Sequence, residues 1–282
     1  MAKFILSAFA DEASSDFTEQ LEALKRHNIP LIEIRGVDGK NVMELTDEEL
    51  TVVREKLDAY GIRLSAVGSP MGKINIQDDF EPHFEKFKRA VEIAKVLGTE
   101  RIRMFSFFMP KDEDPEIYFD EVVRRVKAMV EYAESNGVHC CHENEKGIYG
   151  DTLARVQKLH AAIPGLRLVF DPANYIQCKD LPRENFAALS SMVDYMHIKD
   201  AFLADGAVVP AGEGDGNMPE ILAELAKSDK TYMLTLEPHL AVFSGLKGLQ
   251  DEELTHKYTY ESNEKAFDAA VNALKAILEK IA

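Results

Sequence analysis

The sequence predicts a single-domain α/β protein, a (β/α)₈ barrel that spans residues 1–282. Two observations carry this prediction. Short apolar stretches rich in β-branched or aromatic residues alternate eight times with longer amphipathic stretches, and no Pro-, Gly- or Ser-rich linker divides the chain. Eight such units in roughly 250 residues match the size and order of this barrel. A doubly wound open sheet is the alternative, and it is disfavoured because no GxGxxG motif follows the first strand.

The first four units share one pattern. Each begins with a predicted strand and continues into a stretch whose apolar residues recur every three or four positions. Acidic residues stand near the start of each stretch and Gly or Asn near its end, as in capped helices. The predicted strands are residues 4–10, 31–36, 63–70 and 101–108, and the helical stretches read DFTEQLEALKRHN, TDEELTVVREKLDAYG, DFEPHFEKFKRAVEIAKVLG and PEIYFDEVVRRVKAMVEYAESNG.

The second half of the chain repeats the pattern four more times. Its predicted strands are again short and apolar, and each is followed by a stretch with helical periodicity. The strands are residues 138–144, 166–175, 194–200 and 232–239, and the helical stretches read DTLARVQKLHAAI, ENFAALSSMV, MPEILAELAKSD and SNEKAFDAAVNALKAILEKIA.

Composition and charge exclude several classes of protein. With 33 basic and 49 acidic residues the formal net charge is −16, which disfavours nucleic acid as a partner because such binding depends on a positive surface. The longest apolar runs are too short to span a bilayer. Asp11 and Glu12 follow the short N-terminal apolar stretch, where a secretory signal would have a cleavage site. Three cysteines without framework spacing indicate a reduced protein, so we expect a cytoplasmic location.

Polar residues end four consecutive predicted strands. They are Glu143, Asp171, His197 and Glu237, at the carboxyl ends of strands five to eight. In barrels of this type the chemistry lies at that end of the strands. Neighbouring strands lie about 4.8 Å apart, so four inward side chains at one level can converge on one ion. Each residue alone has an ordinary structural explanation, such as a turn cap or a packed histidine. Together they predict one divalent metal ion, and their oxygen-rich set suits Mn²⁺, Mg²⁺ or Co²⁺ better than Zn²⁺.

The segment VHCCHENEKG at residues 138–147 contains two cysteines and two histidines, yet its spacing does not predict a zinc site. Side chains alternate along a strand, so if Glu143 faces the barrel axis, His139 and Cys141 face it too. Cys140 and His142 then point towards the helices or the rim. We interpret the cysteines as buried apolar residues. His142 is interpreted as a rim or packing residue, and it is retained among the candidates for substrate contact.

Further polar residues near the predicted strand ends are weaker candidates. They could contact substrate hydroxyls or a phosphate, or could equally form structural ion pairs; they are Glu33, Lys73, Arg103 and Lys199. Glu213 lies in AGEGDG after the seventh strand, where we expect a glycine-rich loop above the site. Because this run lacks the GK[ST] of a phosphate-binding P-loop, it does not predict a nucleotide site.

Several short motifs, in this order, resemble those of the sugar phosphate isomerase/epimerase family of xylose-isomerase-like TIM barrels. The motifs are LIEIRG, SPMGKI, HEN, FDPANY, HIKD followed by GEGDG, and TLEP, and the resemblance extends from about residue 4 to residue 240. It implies that Glu143, Asp171, His197 and Glu237 ligate a divalent metal, and that Glu143 and Glu237 also move protons. Two positions depart from the ketose 3-epimerases of that family. Asn174, which is also a candidate for substrate contact, stands where many members have His, and HIKDAFLADG offers Lys199 but no Arg.

These observations lead to a functional hypothesis. The site suits proton abstraction next to a carbonyl, which would make the protein a metal-dependent isomerase or epimerase of a small-molecule sugar or sugar phosphate. A lyase of the same superfamily, either an inosose-type dehydratase or a C-glycoside-cleaving subunit, stays open. An AP-endonuclease-like nuclease would need more histidines at the mouth of the barrel and a basic DNA-binding face, and this chain has only eight histidines and a net charge of −16. A non-catalytic sugar-binding barrel is disfavoured because the set of four metal-capable residues is intact. We expect no membrane partner and leave homo-oligomerisation open.

Overall fold

The computed structural model describes residues 3–242 and 256–281. Its main sheet contains eight parallel strands in a nearly closed barrel, which confirms the predicted fold class. Strand β1 pairs with β8, and the pairing then runs in descending order from β8 to β2, which lies beside β1. The strands are β1 (Lys3–Ala8), β2 (Leu31–Ile34), β3 (Arg63–Gly68), β4 (Arg101–Met104), β5 (His139–Glu143), β6 (Arg167–Phe170), β7 (Val193–Ile198) and β8 (Thr231–Leu236).

Helices follow each strand and cover the outside of the barrel. Within the residues that the structure describes, one α-helix follows every strand except β6, which is followed by two. They are α1 (Phe17–Arg26), α2 (Asp47–Tyr60), α3 (Phe80–Leu97), α4 (Phe119–Ser135), α5 (Leu153–Ala162), α6 (Pro172–Gln177), α7 (Pro182–Leu189), α8 (Met218–Ala226) and α9 (Asn263–Ile281). Two short antiparallel ribbons pair Gly36–Val37 with Lys40–Asn41 and Asp200–Ala201 with Val208–Val209.

Local sequence explains where the helices begin and end. Helix α2 starts with a reciprocal capping box, in which the Thr46 hydroxyl accepts the Glu49 N–H and the Glu49 carboxylate accepts the Thr46 N–H. It ends at Gly61, whose left-handed conformation at φ 64° is accessible to glycine without strain. Of the described helices, none is long and apolar enough to cross a membrane.

The barrel has two apolar layers, and the HCCHE strand shows both. Cys141 lies inside the barrel in a small cluster with Ala66, Val169 and Tyr195. Cys140 belongs to the large cluster between the strands and the helices. Both thiols are fully buried. The alternation predicted for this strand is therefore confirmed, and both cysteines are packing residues.

Several predicted strands extended too far at their carboxyl ends. Residues 105–108 were predicted to continue β4, but they form a loop in which Phe105 and Phe107 are completely buried. Their N–H groups donate to the carbonyls of Met71 and Gly72 in the neighbouring loop. A Cβ on Gly72 would lie 2.0 Å from the Phe105 carbonyl oxygen, so the two loops approach this closely only with glycine there. Apolar periodicity cannot distinguish such buried loops from strands.

The sixth unit also differs from the prediction. FDPANY was assigned to a strand, but the strand stops at Phe170 and Pro172 begins helix α6. The Asp171 carboxylate caps this helix by accepting the Asn174 N–H at 2.9 Å. Proline at the first helical position lacks an N–H that would be unpaired anyway, so DPAN starts a helix at once. This early turn brings both Asp171 and Asn174 to the carboxyl end of the barrel.

Candidate metal centre

Four side chains from the ends of adjacent strands meet inside the carboxyl end of the barrel. Glu143 ends β5, Asp171 follows β6, His197 lies in β7 and Glu237 follows β8. One ligand atom from each lies within 4.8 Å of the others, and none of the four is more than 2% exposed. His197 Nδ1 lies 3.1 Å from Glu143 Oε1 and 3.0 Å from Glu237 Oε2. Among the described residues, this cluster, here called the quartet, could hold a metal ion.

Two neighbouring side chains orient Glu143. The Arg103 guanidinium donates to its Oε2 at 2.9 Å, and the Asn174 amide donates to its Oε1 at 3.1 Å. Both donors are themselves buried. Asn144 fixes the adjacent strand end, because its amide donates to the Asp171 carbonyl at 2.9 Å and its oxygen accepts the Asp171 N–H at 3.0 Å. Hydrogen bonds of both backbone and side-chain atoms therefore connect the HEN segment to the DPAN segment.

A buried carboxylate, that of Glu33, orients His197 through its second ring nitrogen. Its Nε2 lies 3.3 Å from a Glu33 carboxylate oxygen, and the other Glu33 oxygen accepts the Tyr195 hydroxyl at 2.9 Å. The Phe9 ring and the imidazole pack in an edge-to-face arrangement, with 5.2 Å between the ring centroids. A carboxylate behind the non-ligating nitrogen is the usual partner of a metal-bound histidine, because it fixes the ring's orientation. Glu33 was a candidate for substrate contact, but this position makes it a support for His197.

A second network, which the sequence analysis missed, supports Glu237. Arg35 donates to Glu237 Oε1 at 3.0 Å and to both carboxylate oxygens of Asp11 at 2.9 Å. Glu12 lies 3.4 Å from the same guanidinium and accepts the His239 N–H at 2.7 Å. The positional signal was present, since Asp11 and Arg35 follow β1 and β2 closely. A prediction based only on the ends of strands five to eight does not include them.

The electrostatics of the quartet favour a bound cation. Burial works to raise the pKa of Glu143, but His197 and Arg103 outweigh it and lower the pKa to about 2. Burial raises the pKa of Asp171 to about 7 against the attraction of Lys199. Burial opposes protonation of His197, yet Glu143, Glu33 and Glu237 raise its pKa well above 6.5. A cation bound among these three carboxyl groups and the imidazole would therefore stabilise the ionised carboxylates.

The buried carboxylate oxygens of the quartet suit a metal ion. Asp171 Oδ2 and Glu237 Oε2 are buried and accept no directed hydrogen bond from the described residues. Lys199 Nζ lies 2.9 Å from Asp171 Oδ2 and 3.8 Å from Glu237 Oε2, and His197 Nδ1 lies 3.0 Å from Glu237 Oε2. Buried carboxylate oxygens without hydrogen bonds are costly unless an ion satisfies them. Three carboxylates and one imidazole are also ligands that hard and borderline divalent ions accept.

The other sequence candidates occupy different positions. Lys73 lies at the carboxyl end of the barrel, with its Nζ 2.8 Å from Glu145 and 4.4 Å above the Phe105 ring. His142 points outward, as the alternation predicted, and its Nε2 lies 2.9 Å from the Ser106 hydroxyl while its ring packs on His160. It is therefore corrected from a candidate for substrate contact to a packing residue.

The glycine-rich loop is organised by one carboxylate, that of Asp200. It accepts the N–H groups of Gly212 at 2.8 Å, Gly214 at 3.1 Å and Gly216 at 2.8 Å. A Cβ on Gly214 would lie 2.4 Å from an Asp200 oxygen, which explains the need for glycine. Glu213 is exposed in this loop and accepts a hydrogen bond from the Tyr258 hydroxyl at 2.7 Å.

The chain belongs to the xylose isomerase-like TIM barrel family, whose sequence model matches residues 21–277. A search of curated protein sequences finds no significant match.

Solved structures share the whole fold at low identity. A D-allulose 3-epimerase from Methylomonas sp. is 15% identical, with 99% of this chain and 100% of that chain covered and a TM-score of 0.75. The IolI protein with a bound zinc atom is 18% identical, with 99% of each chain covered and a TM-score of 0.75. A probable 3-DHS dehydratase, AsbF from Bacillus anthracis, is 18% identical, with 98% of this chain and 99% of that chain covered and a TM-score of 0.74. At such identities these similarities establish the fold alone.

Proposed function

We propose that the protein is a divalent-metal-dependent isomerase or epimerase that acts on a small polyhydroxylated carbonyl compound, a sugar or sugar phosphate. The single observation that carries this proposal is the buried quartet, in which two glutamates contact one imidazole from different strands. A binding protein would not need two oriented, ionisable carboxylates at the same ion. The acidic net charge of −16 argues against a nucleic-acid substrate.

The residues that would hold the ion are Glu143, Asp171, His197 and Glu237. Their oxygen-rich set favours Mn²⁺, Mg²⁺ or Co²⁺ over Zn²⁺. A divalent ion in this position supplies Lewis-acid polarisation of a substrate carbonyl, which acidifies the adjacent C–H bond. Burial of the whole set excludes water and strengthens each electrostatic interaction.

Glu143 and Glu237 are the residues proposed to move the proton. Arg103 and Asn174 fix one carboxylate, and Arg35 fixes the other, so each is held in a single orientation. One glutamate removes the proton next to the carbonyl on one face of the substrate. Delivery by the other on the opposite face inverts that carbon, and delivery to the neighbouring carbon interconverts aldose and ketose. Groups of this kind contribute roughly 10²–10⁴-fold in rate.

A deuterium-exchange screen tests the proposal. The metal-supplemented protein is incubated in D₂O with ketoses, aldoses, inososes and their phosphates, and incorporation is followed by NMR and mass spectrometry. We expect deuterium at the carbon next to the carbonyl in at least one compound, together with an epimer or isomer. Loss of water from the substrate would instead identify a lyase. No exchange in any compound, with the ion shown to be bound, would reject the proposed function.

A further inference from the structure

Five of the eight barrel strands begin with a basic residue, and none begins with an acidic one. The five are Lys3, Arg63, Arg101, His139 and Arg167, at the starts of β1, β3, β4, β5 and β6. The 33 Lys and Arg and the 8 His are about one residue in seven of this chain, so composition alone would place about one of them at eight strand starts. Although the net charge is −16, positive charge is therefore concentrated at the amino end of the barrel.

Three of these side chains, those of Arg101, His139 and Arg167, point into the opening of the barrel. Side chains alternate along a strand, and each of the three lies two residues before one that faces the interior. Those interior residues are Arg103, Cys141 and Val169. Arg101 and His139 are also direct register partners on neighbouring strands. Two guanidiniums and one imidazole therefore converge at this opening.

One carboxylate, that of Asp194, joins the two guanidiniums. It accepts from Arg101 Nε at 2.5 Å and from Arg167 Nη1 at 3.0 Å. Strand β4, which carries Arg101, and strand β7, which carries Asp194, are three strands apart, or about 14 Å around the sheet. Their contact therefore spans the opening of the barrel and does not lie on its outer surface. Two cations share one anion, so one positive charge has no partner among the described residues.

Both guanidiniums have further donors to offer. Each has five N–H groups, and Asp194 accepts from a single nitrogen of each. Neither makes another hydrogen bond to the residues that the structure describes, and the exposed Glu100 pairs with neither. The two side chains are 33% and 34% exposed, so their remaining N–H groups are accessible to solvent.

Stabilisation of helix ends does not explain these two arginines. The carboxyl ends of the helices face the amino end of the barrel, and basic side chains commonly offset their partial negative charge. Lys275 does so, since its Nζ donates to the His27 carbonyl directly after helix α1. Within the described ranges, Arg101 and Arg167 donate to no backbone carbonyl.

An apolar layer separates this opening from the quartet. It consists of Ala66, Cys141, Val169 and Tyr195 in the barrel interior. His139 and Glu143 stand at opposite ends of β5, about 13 Å apart along the strand. A ligand at the amino end would therefore not touch the candidate metal centre.

We propose that the amino-terminal opening of the barrel is an anion site that binds one phosphate group through Arg101 and Arg167, with His139 beside them. The planar fork of a guanidinium matches the oxygens of phosphate, and a dianion gains from contact with two such groups. Inorganic phosphate, a small phosphate monoester and a phospholipid headgroup all present this chemistry. The site is independent of the proposed function, so either proposal can fail alone.

Calorimetric titration of the full chain with inorganic phosphate, at low ionic strength and about pH 8, tests the proposal. We expect one phosphate per chain and at least about tenfold weaker binding in Arg167→Gln, because charge-assisted hydrogen bonds are lost. Arg124→Gln is the matched control, since Arg124 and Arg125 likewise share one carboxylate, that of Glu121. Equal affinity in the wild type and Arg167→Gln, or phosphate binding no tighter than chloride, overturns the proposal.

Asp194→Asn should change phosphate affinity in the opposite direction, and it decides the question if Arg167→Gln does not fold. The amide keeps the shape of the carboxylate without its charge, so phosphate should bind about tenfold more tightly. A purely structural ion-pair cluster would lose stability without gaining phosphate affinity, and that result contradicts the proposal. Asp171→Asn should bind phosphate as the wild type does. Loss of binding in that variant would assign the phosphate to the metal centre and overturn the amino-terminal site.

Two further ligands identify the source of the phosphate group. Glycerol 3-phosphate is titrated in the same way, and vesicles of phosphatidylcholine with or without phosphatidic acid are sedimented with the protein. Tighter binding of the monoester than of inorganic phosphate supports a small phosphorylated molecule as the ligand. Sedimentation that requires phosphatidic acid and is lost in Arg167→Gln supports a lipid headgroup, and binding of inorganic phosphate alone supports the free ion. If none of the three ligands binds, the site is rejected.

Discussion

Arg35 and Glu237 form a buried ion pair of 3.0 Å that joins the carboxyl ends of β2 and β8 on either side of β1. The opposite edge of the guanidinium holds both oxygens of Asp11. A planar, bidentate donor of this kind fixes direction as well as charge, which lysine cannot do. Arg35 thus positions a carboxylate that is proposed to ligate the ion and to move protons.

Arg35→Lys should therefore weaken metal binding and turnover together. Partners of metal ligands typically contribute 10–100-fold to metal affinity or activity, and we expect a loss in that range. Metal affinity is measured by calorimetric titration and kcat by deuterium exchange. Arg101→Lys is the matched control, because Arg101 begins β4 and pairs with Asp194 at the other end of the barrel. Comparable losses in both variants would mean that Arg35 stabilises the fold without positioning Glu237.

Asp171→Asn should lose metal affinity while the barrel stays folded. One Asp171 oxygen caps helix α6, and asparagine is an equally good cap at that position. The other oxygen belongs to the quartet, where the substitution removes the negative charge. Metal content and melting temperature are measured in parallel. Asp79→Asn, an exposed cap at the start of helix α3, should change neither. Full metal affinity in Asp171→Asn would exclude Asp171 as a ligand.

The cysteines should be dispensable for metal binding. Cys141 lies in the interior cluster below the quartet, and Cys140 lies between the sheet and the helices. Replacing both with Ala should lower the free energy of unfolding by about 1–3 kcal/mol through lost packing, with one ion still bound per chain. The Ser variant should be less stable than the Ala variant because it buries hydroxyl groups. Loss of the ion from a folded double variant would contradict the packing assignment.

His83 should make stability depend on pH. Its Nε2 accepts the Gly72 N–H at 2.7 Å, and burial, aided by Lys86 and Arg125, lowers its pKa to about 4. The unfolded chain binds a proton near pH 6.5, so the stabilisation is complete above that pH and declines as the pH falls towards 4. Between pH 7.5 and pH 5 the loss from this group is about 2 kcal/mol.

Urea unfolding of the wild type and of His83→Gln across this range measures that contribution. The glutamine oxygen can accept the Gly72 N–H at every pH, so the variant should show a flatter dependence. Other buried histidines contribute equally to both proteins and cancel in the difference. Parallel pH profiles for the two proteins would mean that His83 titrates normally in the folded state.

The sequence was sufficient to predict the quartet because two simple periodicities locate it. Alternation along β5 directs Glu143 inward with Cys141, and the strand-end rule for parallel barrels brings the other three residues to the same level. The depth of a side chain within the barrel is not encoded in that periodicity. Glu33 was therefore predicted as a candidate for substrate contact, yet it lies behind His197 and accepts a hydrogen bond from the Tyr195 hydroxyl.

Several supporting residues were harder to predict because they lie outside the barrel strands. Arg35, Asp11 and Glu12 act through contacts between segments that are 23 and 24 residues apart, and Glu237 is 202 residues from Arg35. Asn174 reaches Glu143 only because the chain turns into helix α6 directly after Asp171. A pattern of single residues carries no information on such pairings, which depend on tertiary structure.

The two glutamates should fail differently when each is changed to glutamine. Both variants should keep the barrel folded, since an amide oxygen can still accept from Arg103 at residue 143 or from Arg35 at residue 237. An amide cannot accept the substrate proton, so turnover should fall by roughly 10²–10⁴-fold. In an epimerase each face of the substrate is served by a different carboxylate. Glu143→Gln should therefore abolish proton exchange from one epimer, and Glu237→Gln from the other.

Deuterium wash-in is measured from each epimer separately, with metal content determined on the same samples. Full activity in either metal-loaded variant would reject the two-carboxylate mechanism, and equal loss from both epimers with the ion retained would indicate a single base, as in a lyase.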